Sequence, residues 1–314
     1  MLVVYRKENR WEDRAFREFP GFLAPGDCLL LNDTKVFPSR LHGQRAGGSG
    51  PVEVFLLHPS RVGDAGCWEA LVRPGRRMRV GDVVNFAWDL QGEIVARGES
   101  GKRTIRFLAD ASDPAILRQA LDRIGHVPLP PYIKRADEEE DRERYQTVYA
   151  RESGSVAAPT AGLHFTEAIL DKCRSAGAEI ATITLHVGLG TFQPLDASHL
   201  ESGRLHPEQY WITASDIARL RKASRVVAAG TTSVRGIETV YSTGVLRGET
   251  GLFIRPGYRF EAVGAMLTNF HLPQSSLLML VCALAGEELT MAAYRHAVES
   301  RYRFYSYGDC MLIV

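Results

Sequence analysis

The rhythm of apolar and polar positions changes along the chain, and the change divides it. Residues 27–32, Asp-Cys-Leu-Leu-Leu-Asn, form an apolar run of strand length. From about Leu41 to Leu108 come short alternating stretches split by Gly and Pro: Val52–Leu57, Trp68–Val72, Asp82–Phe86, Glu93–Arg97 and Thr104–Phe107. Short strands at near-regular spacing predict a small antiparallel barrel. Pro114–Ile124 has helical spacing, His126–Ile133 is a proline-stiffened extended connector, and Ala136–Arg144 reads as the solvated charged face of a helix. Beyond residue 150 strands (Ile180–Leu185, Arg225–Ala229, Gly264–Leu267) alternate with helical patterns (Glu167–Ala176, Ala214–Ala223, Val234–Tyr241, Ser275–Ala285). That alternation predicts a layered α/β domain. The expected fold is a mixed-sheet α/β main domain, residues 1–50 and 111–314, with an inserted small antiparallel β-barrel at 51–110.

Ser153–Thr166 follows neither rhythm. It holds hydroxyls, glycines, a proline and His164 directly ahead of a helical pattern. Such a loop brings backbone N–H groups toward an anion or polar ligand. Similar loops follow the other strands: His186–Gln193, Gly230–Glu238, Thr268–Pro273 and, near the end, Arg303–Asp309. In open α/β sheets ligands bind outside the carboxyl ends of strands, so these loops predict one shared pocket. His164, His186, His271, Glu238 and Asp309 are its titratable candidates, and the histidines suit proton transfer near neutral pH. Gly230-Thr-Thr-Ser233 offers N–H groups and hydroxyls, with Thr232 or Ser233 as an N-cap. Arg235, poorly placed for the helix dipole, calls for an anionic ligand or for Glu238 at i+3.

Composition narrows the chemistry. The 314 residues are 45% hydrophobic and 24% charged, as in a globular protein, and no apolar run reaches membrane-spanning length. Five scattered cysteines (Cys28, Cys67, Cys173, Cys282, Cys310) form no C-x-x-C pair, which argues for reduced thiols, a cytoplasmic location and no cysteine zinc site. No H-E-x-x-H is present, and Ser155 and Ser233 lack a G-x-S-x-G elbow. Gly188-Leu-Gly190 lacks the third glycine of a dinucleotide fingerprint. A net charge of +1 leaves any nucleic-acid surface local. The basic stretch Arg73–Arg79 is its one candidate, although composition alone favours a solubilising turn there.

Together these segments resemble the S-adenosylmethionine:tRNA ribosyltransferase-isomerase family of queuosine biosynthesis. The matching stretches are Leu29–Leu41, Pro128–Arg135, Asp141–Ala150, Gly154–Phe165, Thr184–Pro194, Gly230–Glu238, Leu267–Pro273 and Tyr302–Asp309. The barrel segment matches in pattern more than in letters. The resemblance implies transfer of the ribosyl part of S-adenosylmethionine to 7-aminomethyl-7-deazaguanine at a tRNA wobble position. The ribose is isomerised to an epoxycyclopentanediol, giving epoxyqueuosine, and adenine and methionine leave. It implies a cytoplasmic enzyme, no metal, no cofactor beyond the consumed S-adenosylmethionine, no membrane, and a monomer as the expected state.

That chemistry needs a base for the carbon beside the sulfonium, for which His164, His186, His271 and Asp309 are the candidates. Adenine needs a hydrogen-bond donor to leave. The methionine carboxylate suits Arg235 and the N–H groups of Gly230, Thr231, Thr232 and Ser233; ribose hydroxyls suit Asp33 or Glu238. Asn32, Arg40, Thr160, Gly162, Gly188, Gly190 and Asn269 complete the expected substrate contacts, and Arg73, Arg76, Arg77, Arg79 and Arg142 the expected tRNA contacts. Two departures from the family pattern stand out. The chain begins at Met1-Leu-Val-Val, without the short segment that precedes the first strand in family members: either the start was placed late, or the segment is missing and activity would be reduced if it walls the pocket. Gly236 replaces a bulkier residue and is expected to weaken its helix by about 1 kcal/mol. Two alternatives have different signatures. An S-adenosylmethionine-dependent RNA methyltransferase would release S-adenosylhomocysteine and carry a fuller Gly-rich loop. A non-catalytic RNA-binding protein would be indifferent to S-adenosylmethionine.

Overall fold

A computed structural model describes residues 1–48, 50–60, 66–108, 113–130, 132–188, 190, 195 and 197–314. The chain begins with β1 (Leu2–Tyr5), β2 (Arg10–Asp13), β3 (Asp27–Asn32) and β4 (Thr34–Val36). Next come β5 (Arg40–Arg45), β6 (Pro51–Pro59), β7 (Cys67–Arg73), β8 (Val83–Phe86), β9 (Gln91–Arg97), β10 (Lys102–Phe107), α1 (Pro114–Ile124), α2 (Asp141–Arg144) and β11 (Glu152–Ser155). After these follow α3 (Glu167–Ser175), β12 (Glu179–Leu185), α4 (Ala197–Ser202), β13 (Arg204–Trp211), α5 (Ala214–Lys222), β14 (Arg225–Ala229) and α6 (Thr231–Thr243). The last are β15 (Arg247–Leu252), β16 (Val263–Asn269), α7 (Ser276–Ala285), α8 (Glu287–Glu299) and β17 (Cys310–Ile313). These elements form two compact units, one of Met1–Lys35, Gln146–Glu152 and Ala158–Val314, the other of Val36–Tyr145 and Ser153–Ala157.

In the first unit the described strands make one mixed sheet in the order β15-β13-β12-β3-β14-β16-β17-β1-β2. Its centre, β12-β3-β14-β16, is parallel. Those strands are buried on both faces and so read as continuous apolar runs; every residue of β3 is buried. The chain returns from β3 to β12 on one side and passes from β14 to β16 on the other. The winding therefore reverses between the carboxyl ends of β3 and β14, where such sheets bind ligands. Leu29, Leu31, Phe165, Leu170, Val227, Leu267 and Leu312 anchor the core. α6 is buried along Thr231–Val240. Gly236 lets it lie close to β12, since a methyl group there would meet Ile183 Cδ1 at 2.7 Å. The expected weakening at Gly236 is thus the cost of close packing.

In the second unit the described strands close an antiparallel barrel, β10-β7-β6-β5-β8-β9. The unit runs wider than the expected 51–110, and the expected break at 110–111 lies outside the described residues. β5, between β6 and β8, closes the barrel. Its polar letters hide the strand because Leu41, fully buried, is its main apolar contribution to the core. Gly43 makes room for Phe86, whose Cδ1 would lie 2.7 Å from an added Cβ. α1, N-capped by Asp113 with Pro114 in its first turn, adds Leu117 and Leu121 to the barrel core. The charge run at 136–144 is not wholly solvated: Asp141 is buried and grips Arg135 through two bonds of 2.6 and 2.9 Å.

Replacing Gly236 with Ala sets a helix-propensity gain of about 1 kcal/mol against an overpacking cost of about 1–3 kcal/mol. Urea unfolding of Gly236→Ala should show net destabilisation; a more stable variant would contradict the close packing of α6 on β12.

Candidate active site

The carboxyl edge of the central strands is tied together by Asn32, which ends β3 and is fully buried. Its Nδ2 donates to the Leu185 carbonyl at 3.0 Å and to Thr232 Oγ1 at 3.1 Å. Its Oδ1 accepts from the N–H groups of Leu185 at 3.0 Å and Thr34 at 3.2 Å. These bonds use the full capacity of an amide side chain. Asn32 therefore builds the site and has nothing left for a ligand. Asp33 is similarly occupied. Thr184 Oγ1 and Arg151 Nη2 each donate to it at 2.6 Å, while burial pushes its carboxyl above the usual range.

His186 follows β12, with Nδ1 2.7 Å from Thr34 Oγ1 and its ring edge-on to Trp211. At the end of β16, His271 Nε2 lies 2.8 Å from Thr268 Oγ1 and the Tyr294 hydroxyl receives the His271 N–H. His164 ends a 3₁₀ turn over Thr160–His164, against Phe16, with Nε2 3.4 Å from Asn269 Nδ2. Asn269 also donates to the Tyr305 carbonyl at 3.3 Å, and its Oδ1 is buried without a partner among the described residues. The same 3₁₀ turn adjoins the start of α6, because a Cβ on Gly230 would lie 3.7 Å from that of Ala161. Gly162 backs onto Tyr149, whose hydroxyl is buried and also without a partner among the described residues. Thr166 caps α3 by accepting the Ile169 N–H.

Burial holds each of the three histidines down to about 4; at His164 the Asp309 charge opposes this. All three are neutral at pH 7. Burial also pushes the Asp309 carboxyl up, but the Arg303 N–H at 2.7 Å and its guanidinium outweigh this and hold it low. Asp309 is thus an anion fixed to its own loop.

Around α6 the structure gives several expected ligand residues other partners. The N-cap is Gly230, at φ +92°, with no side-chain cap; Thr231–Ser233 lie inside the helix. Ser233 Oγ donates back to the Ala229 carbonyl at 2.6 Å. Glu238 lies about 10 Å along the helix from Thr231, facing the start of β16. There it accepts the N–H groups of Glu261, Ala262 and Val263 and the Tyr258 hydroxyl at 2.9–3.1 Å. It is held as a structural carboxylate at the opposite edge of the sheet. Arg235 does not pair with Glu238: Nη1 donates to the carboxylate of Glu208 and Nε to the Leu252 carbonyl at 3.0 Å. Glu208, absent from the sequence candidates, also accepts the Gly188 N–H at 2.9 Å. Gly190 lies beside His206; Thr191–Gln193 of the expected loop lie outside the described residues.

The remaining candidates belong to the barrel unit. Arg40 pairs with Glu53 at 3.6 Å and lies over Phe55. Arg73, Arg76, Arg77 and Arg79 are exposed. Arg142 donates to the carbonyls of Asp122 at 2.8 Å and Gly125 at 2.6 Å, capping the end of α1. Among the described residues no group of three or more His, Cys, Asp and Glu side chains is placed to hold a metal ion, and no single helix is long and apolar enough to cross a membrane.

Neutral histidines, buried hydroxyls and a helix N-terminus at a winding reversal define an α/β enzyme site for a polar ligand. The queuosine biosynthesis protein family matches residues 1–313. A protein of Solibacter usitatus named S-adenosylmethionine:tRNA ribosyltransferase-isomerase is 59% identical, over 100% of this chain and 92% of that protein. One of the same name from Symbiobacterium thermophilum is 49% identical, with 100% and 92% covered. The crystal structure of S-adenosylmethionine tRNA ribosyltransferase from Thermotoga maritima aligns with TM-score 0.53 and 34% identity, over 100% of this chain and 91% of that one. The chain belongs to the queuosine biosynthesis protein family, as its motifs led us to expect.

Two measurements test the site. Asn32→Asp removes both donors and buries a charge against the Leu185 carbonyl. It should cost about 2–4 kcal/mol in urea unfolding; an unchanged midpoint would remove Asn32 from its central place. The histidines sit at about 4 when folded and near the ordinary value of about 6.5 when unfolded, so the unfolded chain binds more protons between those limits. Stability should fall as pH drops from about 6.5 to about 4, and His186→Gln or His271→Gln should flatten that slope. Slopes identical to wild type would show that these rings are not held neutral.

Proposed function

We propose that this chain transfers the ribosyl part of S-adenosylmethionine to a 7-aminomethyl-7-deazaguanine at the wobble position of a tRNA and isomerises it, forming epoxyqueuosine and releasing adenine and methionine. It is an enzyme of queuosine biosynthesis, a transferase and isomerase that modifies tRNA. The observation that carries this reading is likeness to enzymes of that name along the whole chain, up to 59% identical. The site supports it independently. The first turn of α6 supplies N–H groups for the methionine carboxylate at the β3–β14 reversal.

His186 and His271 are the best-supported bases for the carbon beside the sulfonium. Each is neutral, and each has one ring nitrogen held by a threonine hydroxyl. With Nδ1–H of His186 donating to Thr34 Oγ1, Nε2 carries the lone pair; in His271 the free nitrogen is Nδ1. His164 is better suited to orientation, because the Asn269 amide faces its Nε2. S-adenosylmethionine is a consumed substrate, with no further cofactor. The exposed Arg73, Arg76, Arg77 and Arg79 are suited to tRNA phosphates. The five cysteines are buried and unpaired, which suits a cytoplasmic enzyme; we take it to act as a monomer away from membranes.

Incubation with S-adenosylmethionine and precursor tRNA should yield adenine and methionine. S-adenosylhomocysteine in their place would overturn the reading in favour of a methyltransferase, and no reaction would favour a binding protein. Of His186→Ala and His271→Ala, the one that removes the base should slow single-turnover adenine release by about 100-fold or more; unchanged release in both would sink the assignment.

A further inference from the structure

We infer that Glu208 is a positioning residue for the amino-acid end of S-adenosylmethionine, an inference that rests on the reaction proposed above. Glu208 and Arg235 form an ion pair in which both side chains are 6% exposed. The carboxylate also holds the Gly188 N–H, so it links the loop after β12 to the first turns of α6. The guanidinium is fixed from two sides, by Glu208 at Nη1 and by the Leu252 carbonyl at Nε. Its Nη2 is buried and has no partner among the described residues.

A buried donor without a partner in a side chain otherwise so well held points to a missing acceptor. Helix side chains lean toward the helix N-terminus, so Arg235 leans toward the start of α6. That start is buried at Thr231, Thr232 and Ser233 and takes no side-chain cap. A helix end of this kind calls for an external acceptor as well. Both features ask for the same ligand group, an oxygen anion at the α6 N-terminus within reach of Nη2. The amino-acid carboxylate of S-adenosylmethionine supplies it. The charge on Glu208 explains why the partner is a zwitterion and not a simple anion. It brings the buried guanidinium to net neutrality and offsets its repulsion of the substrate's ammonium group. Glu208 acts through Arg235 and Gly188 and needs no contact with the reacting atoms.

The test measures binding of S-adenosylmethionine and of its decarboxylated analogue to full-length wild type, Glu208→Ala, Glu208→Gln and Glu208→Asp by calorimetry, with adenine release on precursor tRNA measured in parallel. Wild type should bind the analogue about 30-fold more weakly, and Glu208→Ala should lose about 30-fold for S-adenosylmethionine but under about 3-fold for the analogue. Glu208→Asp should recover part of the discrimination, and kcat should change less than KM. Glu208→Gln keeps an acceptor for the Gly188 N–H and serves if the alanine variant does not fold. Equal loss for both ligands, or loss for neither, overturns the inference, as does a wild type that does not discriminate. If Glu208→Ala loses S-adenosylmethionine selectively while wild type releases no adenine, the reaction is overturned and the role of Glu208 upheld.

Discussion

The carboxyl edge of the sheet depends on one buried amide. Asn32 bonds both ways to the backbone of Leu185, donates to Thr232 and accepts from Thr34. Those bonds fix the ends of β3 and β12 and the first turn of α6 relative to one another. His186 inherits its position because its partner, Thr34, is itself held by Asn32. Without that amide the winding reversal would leave a polar gap between strands. With it, the reversal becomes a rigid rim on which neutral histidines and helix N–H groups stand.

The rim divides residues into those that build and those that remain available. Asn32, Asp33, Ser233 and Glu238 are enclosed and hydrogen-bonded within the protein. His186 and His271 keep one ring nitrogen each, and Arg235 keeps one terminal nitrogen. Burial keeps the histidines uncharged at neutral pH. A cationic sulfonium placed there would face neutral histidines, and Glu208 balances the charge of Arg235.

Much of this was legible in the sequence. Pro114–Ile124 and Arg225–Ala229 were found to the residue, because a proline start and an unbroken apolar run are strong local signals. The polar loops were rightly placed at strand ends. Less legible were strands whose partners, not their letters, make them strands. β5 shows mostly polar residues, β13 contains Pro207 and a register shift, and β1 and β17 pair with each other from opposite ends of the chain. Side-chain partnerships failed for the same reason. Helical spacing offers Arg235 either Glu238 at i+3 or an anionic ligand, but its partner Glu208 stands on a strand, β13. Glu238 turned instead to backbone N–H groups at 261–263. Spacing along one helix says what is near in the chain, and the sheet decides what is near in space.

The proposed reaction requires the substrate at the carboxyl ends of β3 and β14 against the start of α6. A crystal structure with S-adenosylmethionine bound tests it most directly. The amino-acid carboxylate should lie within hydrogen-bonding distance of the N–H groups of Thr231–Ser233 and of Arg235 Nη2, with the carbon beside the sulfonium facing His186 or His271. Ligand density at the amino edge near Glu238, or in the barrel, would contradict it.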